Sequence, residues 1–310
     1  MVTEMNEEEI KEENEGEIRI KKHSHRKIRI LKKYLKPCIA FSKKHGNFAY
    51  IDTHGGTGKI IDDDSGEKID GSVLTYAKTE LTWPCYCVEI NPERFTLLQE
   101  STKEFPNIKR FNGDCNVIID EILNEIQPGE KFIFCFIDPD GLVYGSGKLL
   151  KYQITWKTIE KIANFPRTEI LMNFYVNSVI RNSALYHKDP KNPAYKKVGS
   201  HLTMLFGSEK WKDIGKGEWR KFVRLFIDER FKKFKYKGAI LIRQEGISKG
   251  PLYYLVFGSK KLEGGKIMRD IMMKEWKNKT RTLPLPRYQY KTQKEWLDVY
   301  YPLNSFIFED

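Results

Sequence analysis

The feature that most constrains this chain recurs along its first half. A short apolar run ends on an acid or asparagine, a glycine or proline follows, and helical spacing then begins. Phe48–Asp52 leads into Gly55, Gly56 and Gly58, and Cys85–Glu89 leads into Asn91-Pro92-Glu93 and the helical pair Phe95/Leu98. Ile108–Phe111 precedes Gly113-Asp114, and Lys131–Ile137 precedes Asp138-Pro139. Glu169–Tyr175 carries Asn173 near its end and Asn177 just beyond. Helical stretches are expected at about 72–80, 93–104, 116–126 and 155–164. Strands that are apolar throughout and alternate with helices describe a parallel sheet covered on both faces. Acids and glycines then fall at the carboxyl ends of the strands, where open α/β sheets bind ligands. Two later runs, Ala239–Arg243 and Leu252–Phe257, are joined through residues 245–250 and read as an antiparallel hairpin at the sheet edge. The fold class expected is an α/β, Rossmann-like, mostly parallel sheet with that hairpin and a basic helical insertion.

Charge divides the chain further. Residues 1–18 hold eight Glu and one Lys, and with +12 overall, +19 falls on the remainder. Residues 19–36 supply nine Lys/Arg and no acid. A balance of this kind favours polyanionic partners, nucleic acid first, against the bland alternative of a lysine-rich surface. The divisions expected are an acidic disordered tail over 1–18, an α/β core over 19–180 and a basic helical insertion over 181–237. A hairpin completing the core over 238–280 and a surface-packed C-terminal extension over 281–310 follow. Ile28, Leu31, Leu35 and Ile39 recur at helical spacing; the helix can run through Pro37 only with a kink, so a break is expected near Lys36. The apolar runs are too short to span a bilayer, no signal-peptide pattern opens the chain, and five cysteines without a CxxC pair argue against disulfides and a zinc knuckle. A soluble, cytoplasmic protein without a membrane partner or a metal is expected.

The loop Asp52-Thr53-His54-Gly55-Gly56-Thr57-Gly58-Lys59 is not a P-loop, since Thr53 replaces the first glycine and Ile60 the hydroxyl residue. It is not the dinucleotide fingerprint either, because Gly56 and Gly58 are followed by Ile61. What remains suits S-adenosyl-L-methionine (SAM). Glycines let the backbone approach the amino-acid part of that ligand, and Asp52 at the strand end can accept from its ammonium. Glu89, followed by Ile90, can take the ribose hydroxyls. Asp114, beside Cys115, can receive the adenine amine. Glu89 lies 37 residues beyond Asp52 rather than the roughly 20 of the dinucleotide pattern. The surplus, Ile61–Ser72 with Asp62, Asp63, Asp64 and Asp70, reads as an inserted, solvated acidic loop.

Asp138-Pro139-Asp140-Gly141 carries the chemistry. An aromatic amine is a weak nucleophile, and a carboxylate with a proline carbonyl can accept its N–H bonds, align it and stabilise developing positive charge. Asp138 is therefore the expected acceptor, with the Pro139 carbonyl assisting. Asp140, Gly141, Tyr144, Asn173, Tyr175 and Arg181 are candidates for holding the substrate, Tyr144 or Tyr175 as a stacking aromatic. Arg181, Lys188, Lys191, Lys196 and Lys197 would rim a substrate groove. Trp219, Phe222 and Phe226 recur at helical spacing and read as a core-facing stripe rather than a stacking platform. His23 and His25 read as solvated, and Cys85, Cys87 and Cys135 as core.

Over His25 to about Trp276 the chain resembles the three-Cys-motif partner proteins (TcmP). The matching stretches are Lys27-Ile28-Arg29-Ile30-Leu31-Lys32-Lys33-Tyr34-Leu35 and Tyr50-Ile51-Asp52-Thr53-His54-Gly55-Gly56-Thr57-Gly58. Phe136-Ile137-Asp138-Pro139-Asp140-Gly141, Leu171-Met172-Asn173-Phe174 and Pro251–Phe257 follow in the same order. The resemblance implies a class I methyltransferase fold and association with a cysteine-motif partner protein. The family usually reads D-x-F-A-G-x-G where this chain has Thr53-His54-Gly55, and D-P-F-G where it has Asp140. The D-P-F-G form also resembles tRNA guanine N2-methyltransferases. The function expected is SAM-dependent methylation of a nucleic-acid base amine, RNA favoured over DNA. The alternatives are a methyltransferase-like binding protein that acts only with a partner or not at all, and methylation of a protein or small molecule.

Overall fold

The computed structural model describes residues 18–20, 24–79, 82–126, 131–145, 150–243, 251–277, 302 and 304–308. Most of the acidic leader, His23, the 245–250 link and the segment with Pro284, Pro286, Tyr288 and Tyr290 lie outside them. The chain enters through β1 (Arg19–Ile20) and α1 (Ser24–His45), then β2 (Phe48–Asp52), the hairpin β3 (Lys59–Asp62) and β4 (Lys68–Asp70), and α2 (Ser72–Ala77). Strands and helices then alternate: β5 (Cys85–Glu89), α3 (Pro92–Thr102), β6 (Ile108–Asn112), α4 (Cys115–Ile126) and β7 (Phe132–Ile137). A two-stranded excursion, β8 (Val143–Tyr144) and β9 (Lys151–Tyr152), precedes α5 (Trp156–Asn164) and β10 (Thr168–Phe174). Helices α6 (Val176–Lys188), α7 (Pro193–Phe206) and α8 (Trp219–Arg230) follow, with a 3-10 turn at Lys210–Asp213. The chain ends through β11 (Tyr236–Arg243), β12 (Pro251–Ser259), α9 (Leu262–Lys277) and β13 (Phe306–Phe308).

Eight of these strands form one sheet in the order β6-β5-β2-β7-β10-β12-β11-β13. Only β12 runs against the others, pairing antiparallel with both β10 and β11. Alternation along each strand sends side chains to opposite faces. Phe48, Tyr50, Cys85, Cys87, Phe134 and Phe136 pack under α1, α2, α3 and α9. Ala49, Ile51, Val88, Ile133, Cys135 and Ile137 pack under α4 to α8. Every residue of β2 is buried and the first four are apolar on both faces, which is why the run reads as continuous rather than alternating up to Asp52.

Three expectations change. Helix α1 runs unbroken through Pro37. Leu31, Tyr34 and Leu35 before the proline and Cys38 after it belong to one buried face, and that packing outweighs the proline's local cost, about 3 kcal/mol for the lost backbone bond and the ring clash together. The acidic insertion is an ordered hairpin. Asp62 closes its turn by accepting from the backbone N–H groups of Asp64 (2.9 Å) and Ser65 (2.8 Å), and it pairs with His25, which is therefore not simply solvated. The β11–β12 hairpin has a further strand outside it, β13, whose Phe306 and Phe308 are fully buried. Those residues belong to the segment expected on the surface.

The basic stretch keeps most of its aromatics inside, with Trp219 half-buried. Phe222 and Phe226 are buried, Phe226 stacks on Phe174 at 4.4 Å between centroids, and the Trp211 indole N–H donates to Thr203 Oγ1 at 3.1 Å. No helix among the described residues is long and apolar enough to cross a membrane.

At the amino end of β10, Glu169 is buried between α1 and β12, accepting from the Tyr34 hydroxyl and from Ser259 Oγ at 2.5 Å. Burial pushes its carboxyl from 4.5 up to about 7. A raised folded-state value means the carboxyl's contribution to stability is complete below the unfolded value and is lost as pH rises through about 7. Thermal melts of Glu169→Gln are therefore expected to lose less midpoint between mildly acidic and mildly alkaline pH than those of the wild type.

Candidate active site

The carboxyl ends of β2, β5 and β7 meet where the sheet order reverses direction, with β5 on one side of β2 and β7 on the other. The loop after β2 is stitched to both neighbours. Thr53 N–H donates to Phe136 O (3.1 Å) on β7, and Gly55 N–H donates to Val88 O (2.7 Å) on β5. Gly56 N–H then reaches the Glu89 carboxylate (Oε2, 2.9 Å), whose other oxygen accepts from Asn91 N–H at 2.9 Å. Asn91 also caps α3 through Oδ1, so one short segment fixes both the second strand end and the helix beside the loop. Gly56 and Gly58 have φ of +61° and +77°, a region that only glycine enters without cost.

Asp52 is fully buried, and its oxygens accept from Tyr50 (3.1 Å) and from the backbone N–H of His54 (3.2 Å). Burial, offset by a Ser72 hydrogen bond and reinforced by the nearby Asp138 charge, pushes its carboxyl up to about 7. Burial likewise raises the Glu89 carboxyl. Asp114 precedes α4, and its Oδ1 accepts from Asn116 N–H (2.9 Å) and Nδ2 (2.8 Å). Its other oxygen has no protein donor among the described residues. Ile90 and Asp114 are half-buried, and Cys115 is buried with its thiol directed at Gln153 O (3.2 Å).

Asp138 lies just past β7. Its Oδ1 accepts from Asn173 Nδ2 (2.9 Å), and its Oδ2 is paired with the Lys27 ammonium at 2.6 Å. Both partners of that ion pair are about 15% exposed. Asn173 Oδ1 is buried without a partner. Pro139 is buried, while Asp140 projects outward, pairing with Arg94 at 3.1 Å and donating its backbone N–H to Gln153 Oε1 at 2.9 Å. Gly141 has open space where a Cβ would stand. Tyr144 on β8 and Tyr175 at the start of α6 are half-buried, and Arg181 on α6 is exposed. His54 joins the two halves: Nδ1 contacts Thr53 Oγ1 (2.8 Å) and Nε2 contacts Gln153 O (3.2 Å). A carbonyl only accepts, so Nε2 carries the proton. Burial lowers the imidazole's affinity for a second proton, against the pull of Asp140, Asp138 and Asp114.

The structure thus brings Asp52, Thr53, His54, the glycines, Glu89 and Asp138 to one crevice, with Asp114 and Cys115 at its β6 side. Four participants were not legible beforehand. Lys27 was one cation among nine in a basic segment, and nothing in its spacing marked it. Gln153, Arg94 and Asn116 are ordinary polar residues whose roles arise only when the 150–155 loop folds over the strand ends.

Numbered along the chain from β2 over the strands of the main sheet, the order is 3-2-1-4-5-7-6 with strand 7 alone reversed, and β13 adds an eighth strand outside strand 6. That is the class I methyltransferase fold. No known protein-family model matches the chain, and no curated protein matches it by sequence. Among solved structures it is similar to protein LPL1258 from Legionella pneumophila, at 13% identity and a TM-score of 0.49, covering 80% of this chain and 90% of that one. It is similar to M. jannaschii TYW2 in complex with AdoMet at 11% identity, TM-score 0.32, with 69% and 68% covered. A third is precorrin-6y C5,15-methyltransferase from Geobacter metallireducens, at 12% identity, TM-score 0.33, with 69% and 81% covered. The fold rests on strand order and direction, and none of these similarities carries a ligand or reaction with it.

A Cβ at Gly58 would stand 2.2 Å from Ser101 Oγ, in addition to the positive φ. Gly58→Ala is expected to destabilise the protein by at least about 1–2 kcal/mol in denaturant unfolding. Adding Ser101→Ala should recover the steric part and leave the backbone part.

Proposed function

We propose that the protein is a SAM-dependent methyltransferase acting on an exocyclic amine of a nucleic-acid base, RNA in preference to DNA. The observation that carries the reading is the Gly56-to-Glu89 bond, which joins the first two strand ends into one cradle beside Asp138. The donor set suits the cofactor. Both Glu89 oxygens keep a second lone pair for ribose hydroxyls, and the outer oxygen of Asp114 can take an adenine amine. Asp52, with no exposed surface, acts by ordering the loop and by placing negative charge beneath a cationic ligand. When bound, SAM supplies an electrophilic methyl group. Asp138 and the Pro139 carbonyl accept the N–H bonds of the target amine and offset the positive charge that grows on it, while Asn173 fixes the carboxylate's orientation. Arg181, Lys188, Lys191, Lys196 and Lys197, all exposed on α6, α7 and the turn between them, form the polyanion-facing rim next to β10.

One observation favours a second reading. The Lys27 ammonium already occupies Asp138, as expected if this pocket awaits a cysteine-motif partner of the kind the TcmP resemblance implies, or transfers nothing by itself. Label from methyl-labelled SAM incorporated into total RNA by the isolated chain supports the first reading. Label that appears only with a partner protein supports the second.

Calorimetric titration with SAM is expected to give micromolar binding that is lost in Asp52→Ala and Glu89→Ala. Affinity should rise as pH increases through about 7, where Asp52 ionises, and Asp52→Asn should flatten that dependence. Asp138→Ala should lower transfer by about 100-fold or more with cofactor affinity changed only a few-fold. Unchanged transfer would refute the assignment of Asp138.

A further inference from the structure

The amine that stands at the proposed acceptor belongs to the protein. Lys27 Nζ lies 2.6 Å from Asp138 Oδ2, and Asp138 is its only acceptor among the described residues. An ammonium has three donors, so two remain for other contacts within a largely enclosed space. The fold holds this lysine in place from both sides. Before it in the chain, β1 pairs with β3, and Ile18 O accepts from Ile61 N–H at 2.8 Å. The Ile18 side chain lies over the glycine loop, within 3.0 Å of where a Cβ on Gly56 would stand. After it, Arg29 and Lys33 bind the buried Glu275 on α9 at 2.8 Å and 2.5 Å, and Tyr34 bonds Glu169. The first turn of α1 is thereby seated over the ends of β2 and β7, with Lys27 delivered to the one carboxylate that the methyl-transfer reading assigns to the accepting amine.

We infer that Lys27 is a self-methylation site, an intramolecular amine substrate of the same crevice; the inference rests on the reading of that crevice as a SAM site. The balance is simple. Lys27 loses one proton to solvent through its exposed edge, and Asp138 accepts an N–H of the neutral amine. The Nζ lone pair forms the N–CH3 bond as the S–CH3 bond breaks, and that bond's electron pair remains on sulfur. The products are N-methyllysine and S-adenosylhomocysteine. A methylated Lys27 keeps its charge and loses a donor, so its hold on Asp138 weakens. A base amine would then compete for the carboxylate more easily.

The test uses the full chain with SAM carrying a trideuterated methyl group, followed by intact-mass and peptide mass spectrometry. The expected result is label on Lys27, absent from Lys27→Arg and slowed about 100-fold in Asp138→Asn. A readout independent of transfer is acetic anhydride footprinting without cofactor. Lys27 should react several-fold more slowly than the exposed Lys36, and Asp138→Asn should abolish that protection. Calorimetry with S-adenosylhomocysteine separates the failures. Cofactor binding without label on Lys27, or with label mainly on other lysines, overturns this inference alone. Absence of cofactor binding overturns it together with the reading on which it rests.

Discussion

The architecture depends on one strand that has no exposed side. Phe48–Asp52 is buried throughout, flanked by parallel strands on both edges and by helices on both faces. The order of the strands reverses at β2, the next strand of the main sheet in sequence, β5, lying on one side of it and β7 on the other, so the loops leaving β2 and β7 diverge and leave a crevice at their carboxyl ends. Because no water reaches that strand, the carboxylate that terminates it must be satisfied by the protein. Tyr50, Ser72 and the His54 amide do so. The consequence is a carboxyl with a raised proton affinity placed directly beneath a glycine loop.

From that strand outward, each connection serves two ends. Glu89 ends β5 and also clamps Gly56. Asn91 caps α3 while its own amide holds Glu89. Gln153 receives His54 and Cys115 through its carbonyl and supports Asp140 through its side chain. The crevice is thus built from bonds between strand ends rather than from any single motif. Its floor is cross-linked by those bonds, and its roof comes from segments distant in sequence, β1 with α1 and the 150–155 loop.

That division explains what could be read from the sequence. The central parallel strands declare themselves as continuous apolar runs, unlike the edge strand Ile108–Asn112, and Asp52, Glu89, Asp114 and Asp138, at or just beyond the strand ends, could be placed by counting along the chain. Pro37 misled because its cost is local while the packing of Leu31, Tyr34, Leu35 and Cys38 that overrides it is tertiary. The acidic insertion misled because Asp62 acts through backbone amides in a tight turn, a role that composition does not display. Lys27 was invisible for a plainer reason. In a run of nine cations nothing distinguishes the one that turns inward, since its partner lies 111 residues away. Phe306–Phe308 joined the sheet through a pairing with no local signature.

The central claim is that the crevice between the ends of β2, β5 and β7 holds SAM. A crystal structure of the full chain with S-adenosylhomocysteine tests it most directly. The account predicts the amino-acid end of the ligand over Gly55–Gly58, the ribose at Glu89, the adenine beside Asp114 and the sulfur directed towards Asp138. Ligand density at any other place on the molecule, or a crevice without ligand at saturating concentration, would contradict it.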